Sequence, residues 1–270
     1  MALTQIVVLA ILQGIALVLP VGTASHVALL NALTGWEPPT PQFNLANHFG
    51  VLAATLIYFG GDLWEMATGV ARAANGKRNA EARLAFQLIA ASILAIGVGL
   101  ALTIYVLDDQ WRSLKITAWA TLGFGFLLFV IDQTSMTVKR VEHSSIGDAI
   151  FVALSQVLSL VPGVSRVGIT MTFARFLGYE RIEAARFSYL LSIPALLALI
   201  SGNAYRLFKA QELTFTRLDI VGAVIAFVVS LMTLASLMGF LKRRSFTPIL
   251  IYRLIIGGIV ALLAYDVIAF

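Results

Sequence analysis

The chain has 270 residues, of which 59% are hydrophobic and only 12% are charged, and its mean hydropathy is +0.90. This charge content is about half that of a soluble domain, and the apolar runs are long rather than alternating, which excludes a soluble globular protein and a membrane β-barrel. The net charge of +5 comes from Lys and Arg in short loops, which indicates membrane topology and no nucleic-acid binding. We therefore predict an all-α, polytopic membrane protein. The absence of cysteine excludes thiol and disulfide chemistry.

Two apolar segments, roughly 3–33 and 148–177, are interrupted by Pro20-Val21-Gly22 and by Pro162-Gly163. Neither half of either segment is long enough to cross a bilayer comfortably. Because non-helical backbone at this depth must be buried in protein or line a polar cavity, we predict two re-entrant helix–loop–helix hairpins. The first hairpin is expected to stay in the mature protein, since no basic residues precede it. Uninterrupted apolar segments predict full spans near 43–60, 87–107, 116–134, 187–205, 219–240 and 248–268.

One hairpin followed by three spans occurs twice, at roughly 1–134 and 147–270, with a charged linker between the two copies. This order predicts inverted repeats with a site at their interface. We expect residues 1–270 to form a single membrane domain, because neither half could bury its own polar loop.

The basic residues predict the orientation. Loops at 61–86, 135–147, 178–186 and 241–247, with the flanking Arg175, hold twelve of the 19 Lys and Arg residues. The opposite loops hold five, and Arg166 and Arg253 lie within apolar segments. The positive-inside rule therefore puts the first set of loops in the cytoplasm, and the first hairpin enters from outside.

The second break puts an arginine at membrane depth, where an ionisable residue is a functional-site hypothesis by default. Exposed N–H groups at a helix start, next to a guanidinium, form an anion site, and phosphate is its natural ligand. We predict that Gly163, Ser165, Arg166 and Gly168 bind phosphate. The alternative is that Arg166 only extends to the membrane interface.

The first break resembles the second, since it runs from Gln13 through Pro20 to small hydroxyl residues and His26. Histidine can act as acid, base or nucleophile near neutral pH, and the Thr23 hydroxyl lies close in sequence. We predict His26, Thr23 and Arg166 as catalytic residues and Gln13 as a phosphate-binding residue. The alternative is that His26 is only a structural hydrogen-bonding group.

Other polar residues have simpler interpretations. Arg253 lies close to the basic segment 242–244, so we expect it to reach the interface or a lipid headgroup. Asn44, Asn47 and His48 could share one helical face, for interhelical contacts or for catalysis. Asp266 lies near the end of the last apolar segment. The remaining carboxylates are expected to be solvated in loops or at their edges, among them Asp62, Glu65, Asp108, Asp109 and Glu183.

Several motifs follow one another in a defined order. They are Leu19-Pro20-Val21 with His26; Phe43 with His48-Phe49-Gly50; Pro162-Gly163-Val164-Ser165-Arg166 with Gly168; Phe187-Ser188-Tyr189-Leu190-Leu191-Ser192-Ile193-Pro194; and Ser245-Phe246-Thr247-Pro248 with Ile251-Tyr252-Arg253. Over nearly the whole chain, this series resembles the undecaprenyl pyrophosphate phosphatase family, also called the bacitracin-resistance protein family.

The resemblance implies inverted repeats with two re-entrant hairpins in the bacterial inner membrane. It also implies hydrolysis of the C55 polyprenyl diphosphate to its monophosphate, which recycles the lipid carrier for peptidoglycan synthesis, at a site facing the periplasm. The expected partners are a polyprenyl lipid phosphate and membrane lipids, with Mg²⁺ or Ca²⁺ as a supporting ion. The oligomeric state is left open, and a homodimer is one alternative.

The chain departs from the family pattern at the first motif. Leu17 replaces its second glutamate, Gly22 and Thr23 replace two serines, and Ala24-Ser25 replaces a Thr-Gly pair. Val167 replaces the second serine of the other motif, and Asn44 occupies an acidic position.

Leucine can neither hold a metal nor act as a general base, so no metal-ligating residue is predicted. A divergent phosphatase is the favoured hypothesis. The alternatives are a non-hydrolytic lipid-phosphate transporter, flippase or binding protein on the same scaffold, and a phosphatase for a different lipid phosphate.

Overall fold

The computed structural model describes residues 2–77, 79–106, 111, 113–135 and 138–268. Arg78, Asp108, Asp109 and Arg112, all predicted to lie in loops, fall outside the described residues. The described residues form eleven α-helices. They are α1 (Leu3–Ala16), α2 (Thr23–Thr34), α3 (Pro41–Tyr58), α4 (Gly60–Ala74), α5 (Ala80–Tyr105), α6 (Leu114–Thr134), α7 (Ile146–Ser155), α8 (Arg166–Phe176), α9 (Arg181–Lys209), α10 (Arg217–Leu241) and α11 (Thr247–Ala264).

Five helices are long and apolar enough to cross a membrane, namely α5, α6, α9, α10 and α11. This confirms the prediction of a polytopic helical membrane protein. The remaining predicted span corresponds to α3, an 18-residue helix that carries Asn44, Asn47 and His48 and is not among the five. The prediction of a loop over 61–86 is wrong in its first and last parts, because α4 occupies Gly60–Ala74 and α5 begins at Ala80.

The two interrupted segments are broken where the sequence predicts. The first α-helix ends at Ala16 and α2 begins at Thr23, after Gly22 adopts a φ of 86° that L side chains rarely adopt. In the second segment, Gly163 has a φ of 94°, and the Ser165 side chain caps α8 by accepting a hydrogen bond from the Gly168 N–H. The re-entrance of these hairpins into a bilayer stays a prediction.

Each hairpin packs against helices from the other half of the chain. The first helix of each hairpin contacts a long helix of the opposite half, since α1 lies on α10 and α7 lies on α5. The second helices behave in the same way, with α2 on α11 and α8 on α6. Inverted repeats would require this packing of each hairpin against the opposite half. The repeats themselves and the single-domain organisation stay predictions.

The loops predicted to share one side of the membrane do meet on one face of the molecule. The Arg83 side chain donates to the Glu142 carbonyl, and Lys139 forms an ion pair with Asp148 at the start of α7. Arg186 forms an ion pair with Asp62, and the Val141 N–H donates to Glu183. The expectation that Asp62 and Glu183 are simply solvated is therefore wrong, because both carboxylates connect loops. Glu65 and Asp266 are exposed.

Asp132, at the end of α6, is the centre of a buried charge network on the same face. It accepts hydrogen bonds from Arg175 at 2.9 Å, from Arg181 at 2.9 Å and from the Phe246 backbone N–H at 3.3 Å. Arg175 also donates to the Tyr179 carbonyl. These bonds join the ends of α6 and α8 to the starts of α9 and α11, so the network fixes the second hairpin against its neighbours.

Candidate functional site

The two helix breaks meet in the interior of the protein. A Cβ atom added at Gly22 would lie 2.7 Å from the Gly163 carbonyl oxygen, and a Cβ atom added at Gly168 would lie 3.2 Å from the Pro20 side chain. The Ser165 hydroxyl also donates to the Leu19 carbonyl at 3.4 Å. Glycine is therefore needed for close approach, and the starts of α2 and α8 are brought together.

Arg253 connects both breaks from the last helix. Its guanidinium donates to the Pro20 carbonyl at 3.0 Å and to the Gly163 carbonyl at 3.2 Å. It also donates to two carbonyls of α6, Thr121 at 3.0 Å and Ala120 at 3.5 Å. The residue is only 2% exposed. We call this arrangement the Arg253 clamp.

The prediction that Arg253 extends to the membrane interface is therefore wrong. Breaks in a helix leave carbonyl groups without intrahelical partners, and a buried polar group without a partner is unfavourable. The guanidinium presents several donors in a rigid fork, so one side chain can satisfy carbonyls from three elements. Gly125 makes room for it, since a Cβ atom there would lie 2.8 Å from Arg253 Nε.

His26 lies one turn into α2 and is 8% exposed, with a hydrogen-bond partner on each ring nitrogen. Nδ1 is 2.6 Å from the Gly22 carbonyl oxygen, and Nε2 is 2.8 Å from the Tyr252 hydroxyl. Because a carbonyl can only accept, Nδ1 carries the proton, and the neutral ring uses Nε2 to accept from Tyr252. The two rings also stack, with centroids 5.5 Å apart. This geometry holds an unprotonated Nε2 in a fixed direction.

Ser25, next to His26, is fully buried and shares a short hydrogen bond with the Thr121 hydroxyl. Thr121 also supplies one of the carbonyls held by Arg253. The start of α2 is thus fixed by α6 and α11 together. The roles of Thr121 and Tyr252 were not predicted, because only the fold brings them to His26.

Gln13 belongs to a separate amide cluster between α1 and α3. Its side-chain nitrogen donates to Asn44 Oδ1 at 2.7 Å, and its side-chain oxygen accepts from Asn47 at 2.8 Å. His48, on the same helix, has Nδ1 2.6 Å from the Asn44 carbonyl oxygen, and because a carbonyl can only accept, Nδ1 is the donor. The interhelical interpretation of this polar face is confirmed for Asn44 and Asn47. Asn47 Oδ1 is buried and has no hydrogen-bond partner among the described residues.

Arg166 is the first residue of α8 and lies within electrostatic range of His48. Its Nε is buried, and within the described part of the chain it has no hydrogen-bond partner. The first-turn N–H groups of a helix have no intrahelical partner, and the Ser165 side chain takes only that of Gly168. Arg166 therefore places a cation, with no ion pair among the described residues, at the positive end of a helix.

The predicted residues thus fall into two groups around the joined breaks, one on the second hairpin around Arg166 and one on α2 around His26. Gly163, Ser165 and Gly168 form the structural contact between breaks, with Arg166 beside it on the side of α3 and the Gln13 cluster. His26 faces α6 and α11, and no hydrogen bond joins it to Arg166 among the described residues. Thr23, the first residue of α2, is half-buried and its hydroxyl makes no hydrogen bond within the described ranges.

Acidic residues are missing from the segments that form this site. Residues 2–36 and 161–177 contain no Asp or Glu, and Leu17 packs against the main hydrophobic core. In the part of the chain that the structure describes, no group of three or more His, Cys, Asp or Glu could hold a metal ion. The segments that form the two breaks therefore carry cations and helix starts without an acidic residue of their own, which favours an anionic ligand.

The chain matches the family described as "Bacitracin resistance protein BacA" over residues 6–259. It is 42% identical to undecaprenyl-diphosphatase 1 of Rhodospirillum rubrum, an alignment that covers 98% of this chain and 96% of that protein. It is 38% identical to the undecaprenyl-diphosphatase of Roseobacter denitrificans and 39% identical to that of Ruegeria pomeroyi, each covering 98% of this chain and 100% of the relative. The matched range includes both breaks and the Arg253 clamp.

Proposed function

Because this chain belongs to the bacitracin resistance protein BacA family, as its motifs predicted, we propose that it hydrolyses undecaprenyl diphosphate to the monophosphate. The observation that carries this proposal is Arg166 at the start of α8, whose buried Nε has no hydrogen-bond partner among the described residues, beside two breaks whose segments contain no acidic residue. A diphosphate supplies the negative charge that this arrangement lacks. The relatives are named as diphosphatases, and those names give no support to the transporter or binding-protein alternative.

In the proposed complex, Arg166 and the free N–H groups of α8 hold the diphosphate. Phosphoryl transfer depends mainly on positioning and on stabilising charge on the phosphate oxygens, and a guanidinium provides both. The amide cluster of Gln13 and Asn47 lies on the same side as Arg166. We assign it an orienting role, in which the unpartnered Asn47 Oδ1 receives a donor from the substrate or its bound water.

The Thr23 hydroxyl is proposed as the group that attacks the terminal phosphorus, with His26 as the acceptor of its proton. The new bond from Thr23 replaces the bond between that phosphorus and the bridging oxygen, so undecaprenyl monophosphate leaves. Water then displaces the phosphoryl group from Thr23, whose oxygen takes back the proton from His26, and inorganic phosphate is released. Thr23 and His26 are three residues apart on α2, so they share one helical face. The tautomer described above leaves His26 Nε2 as a base, and Tyr252 must release that nitrogen before it accepts a proton. This assignment would let the site work without the carboxylate that Leu17 replaces.

Mg²⁺ or Ca²⁺, expected from the family, does not fit a protein-held site among the described residues. Hard divalent cations prefer carboxylate oxygens, and the breaks offer only amides, hydroxyls and one histidine. We propose that any such ion arrives bound to the diphosphate.

The reaction is proposed to take place on the periplasmic side of the membrane. The four basic loops that meet on one face are assigned to the cytoplasm of a bacterial inner membrane, so the first hairpin opens toward the periplasm. The polyprenyl chain is proposed to remain in the bilayer. We propose a homodimer as the oligomeric state.

The test is phosphate release from undecaprenyl diphosphate by the purified full-length protein in detergent. We expect Arg166→Gln to lower kcat/KM at least about a hundredfold, as for loss of a charge-stabilising donor in other enzymes. Arg217→Gln, at an exposed arginine on α10, is the matched control and should change little. Thr23→Val should abolish release while Thr23→Ser retains it. Full activity in Arg166→Gln would contradict the proposed phosphate site, and activity in Thr23→Val would exclude the threonine as nucleophile.

A further inference from the structure

An apolar groove opens on the surface of the helix bundle beside the first hairpin. It has a volume of about 680 Å³ and is lined by one face of α1, by the last turns of α10 and by the first turn of α11. Its walls include Ile15 and Leu19 from the hairpin and Met232, Leu237 and Phe240 from α10.

The groove exists because the first hairpin stops halfway along its neighbour. The 14 residues of α1 pack against α10, which has 25. At a rise of about 1.5 Å per residue, α10 extends well beyond the end of α1. The Ser230 hydroxyl donates to the Gly14 carbonyl at 3.0 Å, close to the end of that contact. The later residues of α10 therefore have no helix of the first hairpin beside them.

The end of the groove that is lined by Leu19 lies next to the proposed phosphate site. Leu19, which lines the groove, accepts a hydrogen bond through its carbonyl from Ser165 at 3.4 Å. Ser165 is the residue immediately before Arg166. The groove then continues along α10 to Phe240 and Ile249, which flank the basic loop 241–247.

We propose that this groove binds the polyprenyl chain of the substrate. The inference rests on the proposed function, since a diphosphate held at Arg166 must direct its covalently attached chain into an adjoining apolar space. The lining suits a branched hydrocarbon, because Met232 adapts to irregular shapes and the Thr233 hydroxyl is already bonded to the Val229 carbonyl at 2.7 Å. Lipid tails are as apolar as the groove, so selection here depends on shape and on the attached diphosphate.

Ser236 offers a position at which the groove can be filled. It lines the groove and is exposed, so Ser236→Trp adds bulk without entering the core. Ala235, its neighbour on α10, is also small and exposed but does not line the groove, so Ala235→Trp is the matched control. Both variants are assayed with undecaprenyl diphosphate, as full-length protein in detergent.

We expect Ser236→Trp to raise the KM on the order of tenfold with kcat nearly unchanged, as for a change of fit in an apolar pocket. Ala235→Trp should stay within about twofold of the parent protein. If the two variants behave alike, the groove holds only ordinary phospholipid chains and the proposal is wrong. If the parent protein releases no phosphate, the proposed function is wrong, but that result does not refute the groove. Equilibrium binding of undecaprenyl diphosphate to the parent and both variants then tests the groove independently, with weaker binding expected for Ser236→Trp alone.

Discussion

Replacement of Arg253 by methionine tests whether the clamp holds the two helix breaks in place. Methionine keeps much of the length and apolar volume of the arginine stem but has no donor. The Pro20 carbonyl would lose its donor, and the Gly163 carbonyl would keep only the Thr121 hydroxyl at 3.5 Å, in a region where water does not readily replace the arginine. Arg253→Lys, which keeps the charge but not the planar fork, should give an intermediate result.

The expected loss of stability follows from the three shorter bonds, at 3.0, 3.0 and 3.2 Å. Hydrogen bonds inside membrane proteins contribute about 1 kcal/mol each, so their loss costs about 3 kcal/mol. Removing a buried charge recovers part of the desolvation penalty, which leaves a net destabilisation of about 2 kcal/mol. The loss of activity should be larger, because a shift of about 1 Å at a reacting centre can reduce the rate about a hundredfold.

Thermal unfolding followed by the fluorescence of the four tryptophans, together with phosphate release from undecaprenyl diphosphate, measures both effects. We expect Arg253→Met to show a lowered Tm and, at a temperature where it is fully folded, a kcat reduced about a hundredfold. A variant with normal Tm and a kcat within about twofold of the parent would refute the clamp. A lowered Tm with normal kcat would show that the clamp stabilises the fold without positioning the site.

Three further substitutions follow from the same geometry. Gly22→Ala should destabilise the protein by about 1–3 kcal/mol and reduce phosphate release, because its φ is positive and the new Cβ would meet the Gly163 carbonyl; an unaltered Tm would contradict the close contact of the breaks. Asp132→Asn should lower stability by about 3–5 kcal/mol, because its buried arginine partner loses its counter-charge; thermal unfolding unchanged at low and high salt would argue against the network. Tyr252→Phe keeps the stacked ring but removes the donor to His26, so stability should fall by about 1 kcal/mol and kcat should change by at most about tenfold; a complete loss of activity would assign the tyrosine a direct chemical role.

The positions of the breaks could be predicted from the sequence because their causes are local. Proline lacks an N–H, and glycine allows a positive φ, so Pro20-Val21-Gly22 and Pro162-Gly163 interrupt helices whatever surrounds them. The long spans were predictable for the same reason, since hydropathy is a local property. The pairing of Asn44 and Asn47 with another helix could also be anticipated from their shared face, although Gln13 could not be identified as the partner.

The errors arose where partners distant in sequence decide the outcome. Arg253 lies close to basic residues in the chain, yet its hydrogen-bond acceptors lie 90 to 233 positions away. Asp62 looked solvated because its partner Arg186 lies 124 positions away. The short helix α4 looked like a loop because its two initial glycines and its charges disfavour helix, and packing against α5 overrides that preference.

The Arg253 clamp also bears on how the chain is assembled during synthesis. The side chain that satisfies the Pro20 carbonyl lies 233 positions later in the chain, so α11 is synthesised long after the first hairpin. Until that helix arrives, the turn of the first hairpin must remain near water or near the insertion machinery, because hydrocarbon does not tolerate unpaired carbonyls. The first hairpin can therefore take its final packing only after α11 has been synthesised, and a chain truncated before α11 is expected to leave the Pro20 carbonyl without its arginine donor.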